Sequence, residues 1–207
     1  MLLDFSKPQV QPDSHEQLAE ETHFSVDEVY ALEELFREVS NTLHKDGLIH
    51  KDEFALALFK TANRSNLFAE RVFDLFDTKQ NDVIDFGEFT RALSVFHPRA
   101  PLQEKATFAF RLYDLGTTGA IERGEVMRFL VALLSDNPAI SLDESELESI
   151  INQTFEEADI AGDGKINPDE WQILVQKNPT IINYMTLPVL SELTTKYPSF
   201  AFNTTRQ

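Results

Sequence analysis

Four copies of one short pattern run along this sequence and constrain its fold more than any other feature. In each copy a polar loop contains an isoleucine and ends four residues later in a glutamate, after which an apolar segment begins. The glutamates are Glu53, Glu88, Glu125 and Glu170, the isoleucines are Ile49, Ile84, Ile121 and Ile166, and Gly47, Asp82, Gly119 and Gly164 lie six residues before the glutamates. Three matching positions in four units predict an internal repeat of helix–loop–helix units.

Apolar residues at helical spacing flank the loops. Before the first loop they recur every three or four positions from Val29 to Val39, as on one face of an amphipathic helix. This helix is predicted to begin at a capping box formed by Ser25 and Glu28. The helix before the fourth loop is predicted to begin in the same way, capped by Ser141 and Glu144.

The repeats predict an all-α fold of two lobes, each built from a pair of helix–loop–helix units. Residues 97–101 are the best boundary between the lobes, because their two prolines end helices. The predicted parts are a flexible leader (1–24), an N-terminal lobe (25–97), a C-terminal lobe (98–178), and a C-terminal helix and tail (179–207). The isoleucines predict a short β-bridge between the two loops of each lobe, since isoleucine suits extended backbone.

Charge and composition argue against several classes of protein. The 207 residues include 35 acidic and 18 basic side chains, a net charge of −17, whereas nucleic-acid binding needs clustered Lys and Arg. Seventeen phenylalanines argue against a disordered acidic tail, and the lack of cysteine excludes disulfides and thiolate metal sites. No apolar run approaches the ~20 residues of a membrane span. We expect a protein of the cytosol or nucleus, or one recruited to a membrane by its partners.

The fourth loop, residues 159–170, offers the oxygen ligands that Ca²⁺ prefers. A loop of the EF-hand type supplies them from positions 1, 3, 5, 7, 9 and 12, with position 7 using its backbone carbonyl and position 9 often acting through a water. The predicted ligands are Asp159, Asp163, the Lys165 carbonyl, Asn167 and Glu170. Position 3 is Ala161, so a water must replace one ligand. We expect this loop to bind most tightly.

The second and third loops fit the same pattern with weaker ligand sets. In the third loop the predicted ligands are Asp114, Thr118, the Ala120 carbonyl, Glu122 and Glu125. In the second they are Asp77, Asn81, the Val83 carbonyl, Asp85 and Glu88. Position 3 is Gly116 or Lys79 and supplies no oxygen, and Asp82 occupies the sharp turn of the second loop, where glycine is preferred. Affinity is expected to fall with the ligand charge.

The first loop departs from the pattern, because twelve residues counted back from Glu53 place Thr42 and His44 at positions 1 and 3. Two extra residues give a 14-residue loop from Ser40 to Glu53. Its predicted ligands are Ser40, Asp46 and Glu53, with the backbone carbonyls of Leu43 and Leu48. We expect either a weak site or a simple polar turn. The four loops together predict up to four Ca²⁺ ions, and Mg²⁺ is a weaker rival because it demands tight octahedral geometry.

The sequence resembles the plant calcineurin B-like calcium sensors over residues 22–203. The resemblance is carried by the inserted first loop and by Asp-Gly-Leu-Ile-His-Lys (46–51), Val-Phe-Asp-Leu-Phe-Asp (72–77), Ser-Val-Phe-His-Pro (94–98), Phe-Arg-Leu-Tyr-Asp-Leu (110–115) and Met-Thr-Leu-Pro (185–188). The inserted first loop is specific to that family among EF-hand proteins.

This resemblance implies a sensor that binds Ca²⁺ and then activates a serine/threonine protein kinase. Members of the family hold the kinase's short regulatory helix, its NAF or FISL motif, in a hydrophobic groove. The resemblance also implies that the kinase phosphorylates Ser199, within Tyr-Pro-Ser-Phe at 197–200. Many relatives begin with an acylated Met-Gly-Cys, whereas Leu2 and Leu3 follow Met1 here, so no acyl-lipid anchor is expected.

Two other functions are left open: the regulatory subunit of a phosphatase, as in calcineurin B, and a Ca²⁺ buffer. No nucleophile is combined with a base, so an enzyme is not expected. With only three methionines, the groove is expected to consist of Phe, Leu and Val and to accept few targets. The apolar stripe of Leu187, Leu190, Leu193 and Tyr197 is either a packing helix or a lid over that groove. A homodimer is left open.

Overall fold

The computed structural model describes residues 13–59, 67–135 and 142–183. In this part of the chain the helices are α1 His15–Glu21, α2 Val26–Val39, α3 Lys51–Phe59, α4 Leu67–Phe76, α5 Phe86–Ser94, α6 Leu102–Tyr113, α7 Arg123–Ser135, α8 Glu144–Ala158, α9 Pro168–Lys177 and α10 Thr180–Asn183. The strands are β1 Ile49–His50, β2 Val83–Ile84, β3 Ile121–Glu122 and β4 Lys165–Ile166. None of these helices is long and apolar enough to cross a bilayer.

A two-residue antiparallel ladder joins the two loops of each lobe. β1 pairs with β2 through Ile49 and Ile84, and β3 pairs with β4 through Ile121 and Ile166. All four isoleucines are buried. The prediction of a β-bridge at these positions is confirmed. The prediction of an all-α fold with two pairs of helix–loop–helix units is confirmed as well.

One predicted helix start is confirmed and the other is shifted. The Ser25 hydroxyl accepts the backbone N–H of Glu28, and the Glu28 carboxylate accepts the N–H of Ser25 at 2.7 Å, which completes the capping box of α2. At α8 the prediction is wrong by two residues, because Asp143 is the N-cap and Glu146 completes its box. Aspartate caps helices as well as serine does, and the same spacing recurs at 143–146.

The prediction of a flexible leader over 1–24 is wrong for its last part, because α1 lies within it. The Ser14 hydroxyl caps the first turn of α1, and the side chain of Leu18 is fully buried in the core. The Arg91 guanidinium on α5 contacts the carboxylates of Asp13 and Glu21, at 2.9 and 2.7 Å. These contacts dock a helix that is too short to show a periodic apolar pattern.

The two halves of the chain share apolar packing. The main core contains residues of α1 to α5 together with three residues from α6 and α7. Phe68 on α4 packs edge-on against Phe129 on α7, with ring centroids 5.7 Å apart, and Phe96 packs against Phe108 on α6 at 5.2 Å. A second cluster lies around Trp171, whose indole N–H donates to the carbonyl of Ala106 at 2.7 Å.

Candidate calcium-binding loops

The glutamate that ends each loop is buried and accepts hydrogen bonds from the same two backbone positions of its loop. With this glutamate counted as position 12, one carboxylate oxygen accepts the backbone N–H of position 3 and the other accepts that of position 9. The pairs are His44 and His50 on Glu53 (3.0 and 3.1 Å), Lys79 and Asp85 on Glu88 (2.8 and 3.1 Å), Gly116 and Glu122 on Glu125 (2.7 and 2.7 Å), and Ala161 and Asn167 on Glu170 (2.8 and 2.9 Å). Each buried charge is thereby paired with two donors, as its burial requires.

The aspartates that open the second, third and fourth loops also bind the backbone through both oxygens. They accept the N–H groups of positions 5 and 6. The bonds are from Asn81 and Asp82 to Asp77 (3.1 and 2.8 Å), from Thr118 and Gly119 to Asp114 (2.8 and 2.9 Å), and from Asp163 and Gly164 to Asp159 (3.1 and 2.8 Å). The opening and closing carboxylates therefore determine the path of these three loops.

The sharp turn lies at position 6 in all four loops. Its φ angle is +62° at Asp82 and between +79° and +82° at the three glycines. The expectation that Asp82 takes the left-handed conformation in place of glycine is confirmed. Position 4 is left-handed as well, at Lys45, Gln80, Thr117 and Gly162. Sequence analysis missed this second turn, because these four residues share no property that signals it.

The first loop follows the other three over its last ten residues. Glu53 accepts the N–H of His44 as its position 3, and Gly47 has the left-handed φ of position 6. The same Glu53 oxygen also accepts the backbone N–H of Leu43 at 2.9 Å, whereas at the same position of the second loop the side-chain hydroxyl of Thr78 donates to Glu88. The two extra residues are therefore accommodated before His44.

Asp46 in the first loop is equivalent to Asp163 in the fourth. Each carboxylate accepts the N–H two residues further on, at 3.0 Å, from Leu48 or Lys165. The other oxygen of Asp46 lies 2.8 Å from His50 Nε2, and this bond holds the pKa of Asp46 below its ordinary value. The carboxylate that the sequence predicted as a ligand is therefore kept ionised.

Ser40 begins the first loop and is short of a hydrogen-bond partner. Its side chain is 1% exposed, and its hydroxyl has no partner among the described residues. Its backbone N–H donates to the carbonyl of Phe36 at 2.8 Å and so ends α2. A buried polar group without a partner costs about 1–3 kcal/mol, so this position suits a ligand for a cation.

Positions 1, 5 and 7 converge in the second and third loops. The side-chain amide of Asn81 lies 2.8 Å from the carbonyl oxygen of Val83 and 3.1 Å from a carboxylate oxygen of Asp77. In the third loop the Thr118 hydroxyl lies 3.0 Å from the Ala120 carbonyl and 3.5 Å from Asp114. The amide of Asn81 can turn its NH₂ group or its oxygen inward. With its oxygen inward, that oxygen lies beside the two other proposed ligands, the Val83 carbonyl and the Asp77 carboxylate.

Position 9 has a second role that sequence analysis missed. The side chains of Asp85 and Asn167 are the N-caps of α5 and α9, and they accept the N–H of Glu88 and Glu170 at 3.0 and 3.1 Å. The closing glutamates complete the two capping boxes. The signal was present, because both sites show the spacing that identifies the Ser25 box. At position 9 of the third loop, the Glu122 carboxylate accepts instead from Lys165 Nζ at 2.8 Å.

Lys79 competes for a predicted ligand of the second loop. Its ammonium group contacts the Asp85 carboxylate, and this hydrogen bond raises the pKa of Lys79 above its ordinary value. Burial raises the pKa of Asp85, but the bonds from Lys79 and the loop backbone outweigh it and leave the pKa lowered. A positive charge beside Asp85 opposes a cation at this loop, and the weak affinity expected from the sequence stays a prediction.

The loops present oxygen donors to a cation without assembling them fully. Over residues 13–59, 67–135 and 142–183, no three His, Asp or Glu side chains converge on one point. The carboxylates are turned towards backbone N–H groups instead. Every predicted donor is a hard oxygen, which is the ligand chemistry of Ca²⁺, so the residues present fit that ion.

Several predicted features lie outside the described residues. They include Ser199, the apolar stripe at 187–197, the predicted cap at Ser141 and the first twelve residues of the leader.

Comparisons with known proteins agree with the geometry of the loops. The family model for an EF-hand domain pair matches residues 103–176. The chain is 41% identical over 183 residues to calcineurin B-like protein 5 of Arabidopsis thaliana, a match that covers 88% of this chain and 90% of the relative. It is also similar to the calcineurin B proteins of Yarrowia lipolytica (35% over 160 residues, 77% and 87% covered) and of Naegleria gruberi (34% over 164 residues, 78% and 86% covered).

Proposed function

Because this chain belongs to the calcineurin B-like family of EF-hand calcium sensors, we propose that it regulates a serine/threonine protein kinase in response to Ca²⁺. In this proposal the chain holds the regulatory helix of the kinase in an apolar groove. One observation carries the sensing role: in all four loops the closing glutamate joins positions 3 and 9 through its two oxygens.

The proposed ligands are the residues predicted from the sequence, five in each loop, with the closing glutamate bidentate. When bound, Ca²⁺ supplies two positive charges. Each closing glutamate would turn its two oxygens from the N–H groups of positions 3 and 9 to the ion. The N–H of position 9 lies at the start of the helix that follows the loop, so its release couples binding to the orientation of that helix.

The proposed groove is formed by apolar side chains on α3, α4 and α7. α4 contacts both of the other helices. Leu56 on α3 and Val131 on α7 are 39% and 48% exposed, and Phe68 and Leu130 are partly buried. Branched and aromatic side chains repack less readily than methionine, so we expect a narrow range of target helices. Similar affinities across a panel of unrelated helical peptides would contradict that expectation.

A pull-down tests the kinase proposal. A peptide with the kinase's NAF motif is immobilised and exposed to the full chain in Ca²⁺ or in chelator, with a scrambled peptide as the control. We expect capture by the native peptide in Ca²⁺ and little capture in chelator. No capture in either condition would remove the kinase proposal. A melting temperature that is the same in Ca²⁺ and chelator would count against calcium sensing itself, since ligand binding stabilises the folded state.

A phosphatase regulatory role is the second candidate, favoured by the similarity to the calcineurin B proteins. The inserted first loop and the longer match to the calcineurin B-like relative favour the kinase. Competition distinguishes the two candidates: a phosphatase catalytic subunit that displaces the kinase peptide at lower concentration than a kinase does would support the second role. We place either activity in the cytosol or nucleus, with membranes reached through partners.

Two proposals concern the C-terminal segment. We propose that Ser199 is phosphorylated by the bound kinase, which would add about −1.5 to −2 charges at pH 7. Equal kinase activation by Ser199→Ala would contradict a role for that modification. We also propose that the apolar stripe at 187–197 covers the groove until a partner displaces it. Truncation after Asn183 should then raise peptide affinity, and unchanged affinity would favour an ordinary packing helix.

A further inference from the structure

One guanidinium connects the helix before the second loop to the start of the third loop. Arg71 on α4 donates from Nε and Nη2 to the carbonyl of Arg111, at 3.2 and 2.7 Å, and from Nη2 to the carbonyl of Asp114 at 2.7 Å. These carbonyls belong to the last turn of α6 and its C-cap, where backbone acceptors lack partners within the helix. The helix dipole also favours a positive charge there. Arg71 therefore holds the point where the third loop leaves α6.

Asp114 is held at both its backbone and its side chain. Its carbonyl accepts from Arg71, and its carboxylate accepts the N–H groups of Thr118 and Gly119 in the turn of the third loop. Asp114 is also the first proposed ligand of this loop. A change in the position of Asp114 on coordination would therefore be felt at Arg71.

α4 extends this connection to the second loop. Arg71 lies six residues before Asp77, the first proposed ligand of the second loop, which corresponds to a rise of about 9 Å along the helix. The N–H of Asp77 still donates to the carbonyl of Phe73 at 2.9 Å, so helical bonding continues up to the ligand. Phe68 on the same helix packs against Phe129 on α7. α4 thus contacts both helices that flank the third loop.

The starts of the two loops also open onto one cavity of about 330 Å³. Asp77 and Asp114 line it together with Arg71 and Arg111. Arg71 thus borders the same cavity as the first proposed ligand of each loop. Packing, hydrogen bonding and a shared cavity therefore connect the same two loops.

We propose that Arg71 is a positioning residue that couples Ca²⁺ binding in the second loop to Ca²⁺ binding in the third, a proposal that rests on the assignment of both loops as calcium sites. The coupling acts between the lobes, whereas the β-ladders join loops within one lobe. Because coupling between sites is reciprocal, occupancy of either loop raises the affinity of the other by the same factor.

The test reads each loop separately in the full chain by NMR. The Asp82 and Gly119 amides donate to the first carboxylates of the second and third loops, at 2.8 and 2.9 Å, so their resonances report the two loops during a Ca²⁺ titration. Glu125→Gln removes the closing ligand of the third loop. The Ca²⁺ affinity of the second loop is then compared between chains with and without this substitution. With Arg71 present we expect Glu125→Gln to weaken the second loop roughly five-fold or more, within the usual range of coupling. In a chain that also carries Arg71→Ala, we expect Glu125→Gln to weaken Ca²⁺ binding at the second loop by less than about two-fold.

Two further variants keep the outcome interpretable. Arg71→Lys retains the charge but cannot hold two carbonyls with a planar fork, so we expect it to lose most of the coupling. Arg37→Ala removes an exposed arginine whose ion pair with Glu33 stays within α2, and it should leave the coupling unchanged. The assignment to Arg71 is overturned if Arg71→Ala or Arg71→Lys preserves the full factor, or if Glu125→Gln does not weaken the second loop of the native chain. If neither amide responds to Ca²⁺, the assignment of the loops as calcium sites fails instead.

Discussion

Replacing Glu125 with glutamine separates two roles of this side chain: holding its loop and binding a cation. Glu125 is 5% exposed, and its two oxygens accept the N–H groups of Gly116 and Glu122, both at 2.7 Å. In glutamine one of these oxygens is replaced by NH₂, which cannot accept. One backbone N–H then faces another donor, and this loss occurs without any cation.

The magnitude follows from these contacts. A hydrogen bond to a charged group contributes about 1.5–3 kcal/mol. Removing a carboxylate relieves repulsion from a neighbouring carboxylate, worth about 1 kcal/mol at ~4 Å in water. The difference leaves Glu125→Gln about 0.5–2 kcal/mol less stable in chelator. For a chain of this size, each kcal/mol lowers the melting temperature by roughly 2–4 °C, so we expect a fall of about 1–8 °C.

Thermal unfolding followed by circular dichroism, in chelator and in excess Ca²⁺, measures both roles. We expect Glu125→Gln to melt at a lower temperature than the native chain in chelator. The difference in melting temperature should be larger in Ca²⁺, where a bidentate ligand is also missing. For the measurement in chelator the matched control is Glu122→Gln, because Glu122 is 47% exposed and its pair with Lys165 is an exposed one, worth about 0–1 kcal/mol. If Glu125→Gln melts at or above the native temperature in chelator, the glutamate is a cation ligand only and the reasoning is refuted.

Substitutions at three other positions test the fold around the loops. Asp82→Gly and Asp82→Ala both remove the contact with Lys51, but only glycine adopts the left-handed backbone without strain. In urea unfolding with chelator, the glycine variant should therefore be about 0.5–1 kcal/mol more stable than the alanine variant. Equal stabilities of the two variants would contradict strain at this turn. Burial holds the pKa of His97 below its ordinary value, and the nearby Glu28 offsets only part of this effect. The unfolded chain therefore takes up the proton more readily, so stability is present above about pH 6.5 and is lost as pH falls below it. His97→Asn should flatten the dependence of urea unfolding on pH between about 5 and 7.5, and an unchanged slope would contradict this cause. Leu18→Ala should cost about 2–4 kcal/mol of unfolding free energy because it opens a cavity beneath α1; a cost under about 0.5 kcal/mol would show that α1 adds little to the core.

Features that depend on residues a few positions apart, or on the period of the repeat, were predictable from the sequence. The Ser25 and Glu28 box, the left-handed turn at Asp82 and the pairing of Ile49 with Ile84 all follow from local conformational preferences and from the period of the repeat. The capping roles of Asp85 and Asn167 could have been predicted by the same local rule, and the start of α8 was missed only because two candidate caps lie close together. The ligand positions themselves remain predictions, since the carboxylates are turned to the backbone.

The sequence by itself determined that the chain contains four loops of one kind, in two pairs, with oxygen donors at regular positions. Only the tertiary structure decided that α1 docks on α2 and α5, that Arg71 holds the end of α6, and that the two halves share a core. Caps and turns are specified by neighbours along the chain. Contacts such as Arg71 with Asp114, 43 residues apart, depend on how the helices pack and leave no periodic signal in the sequence.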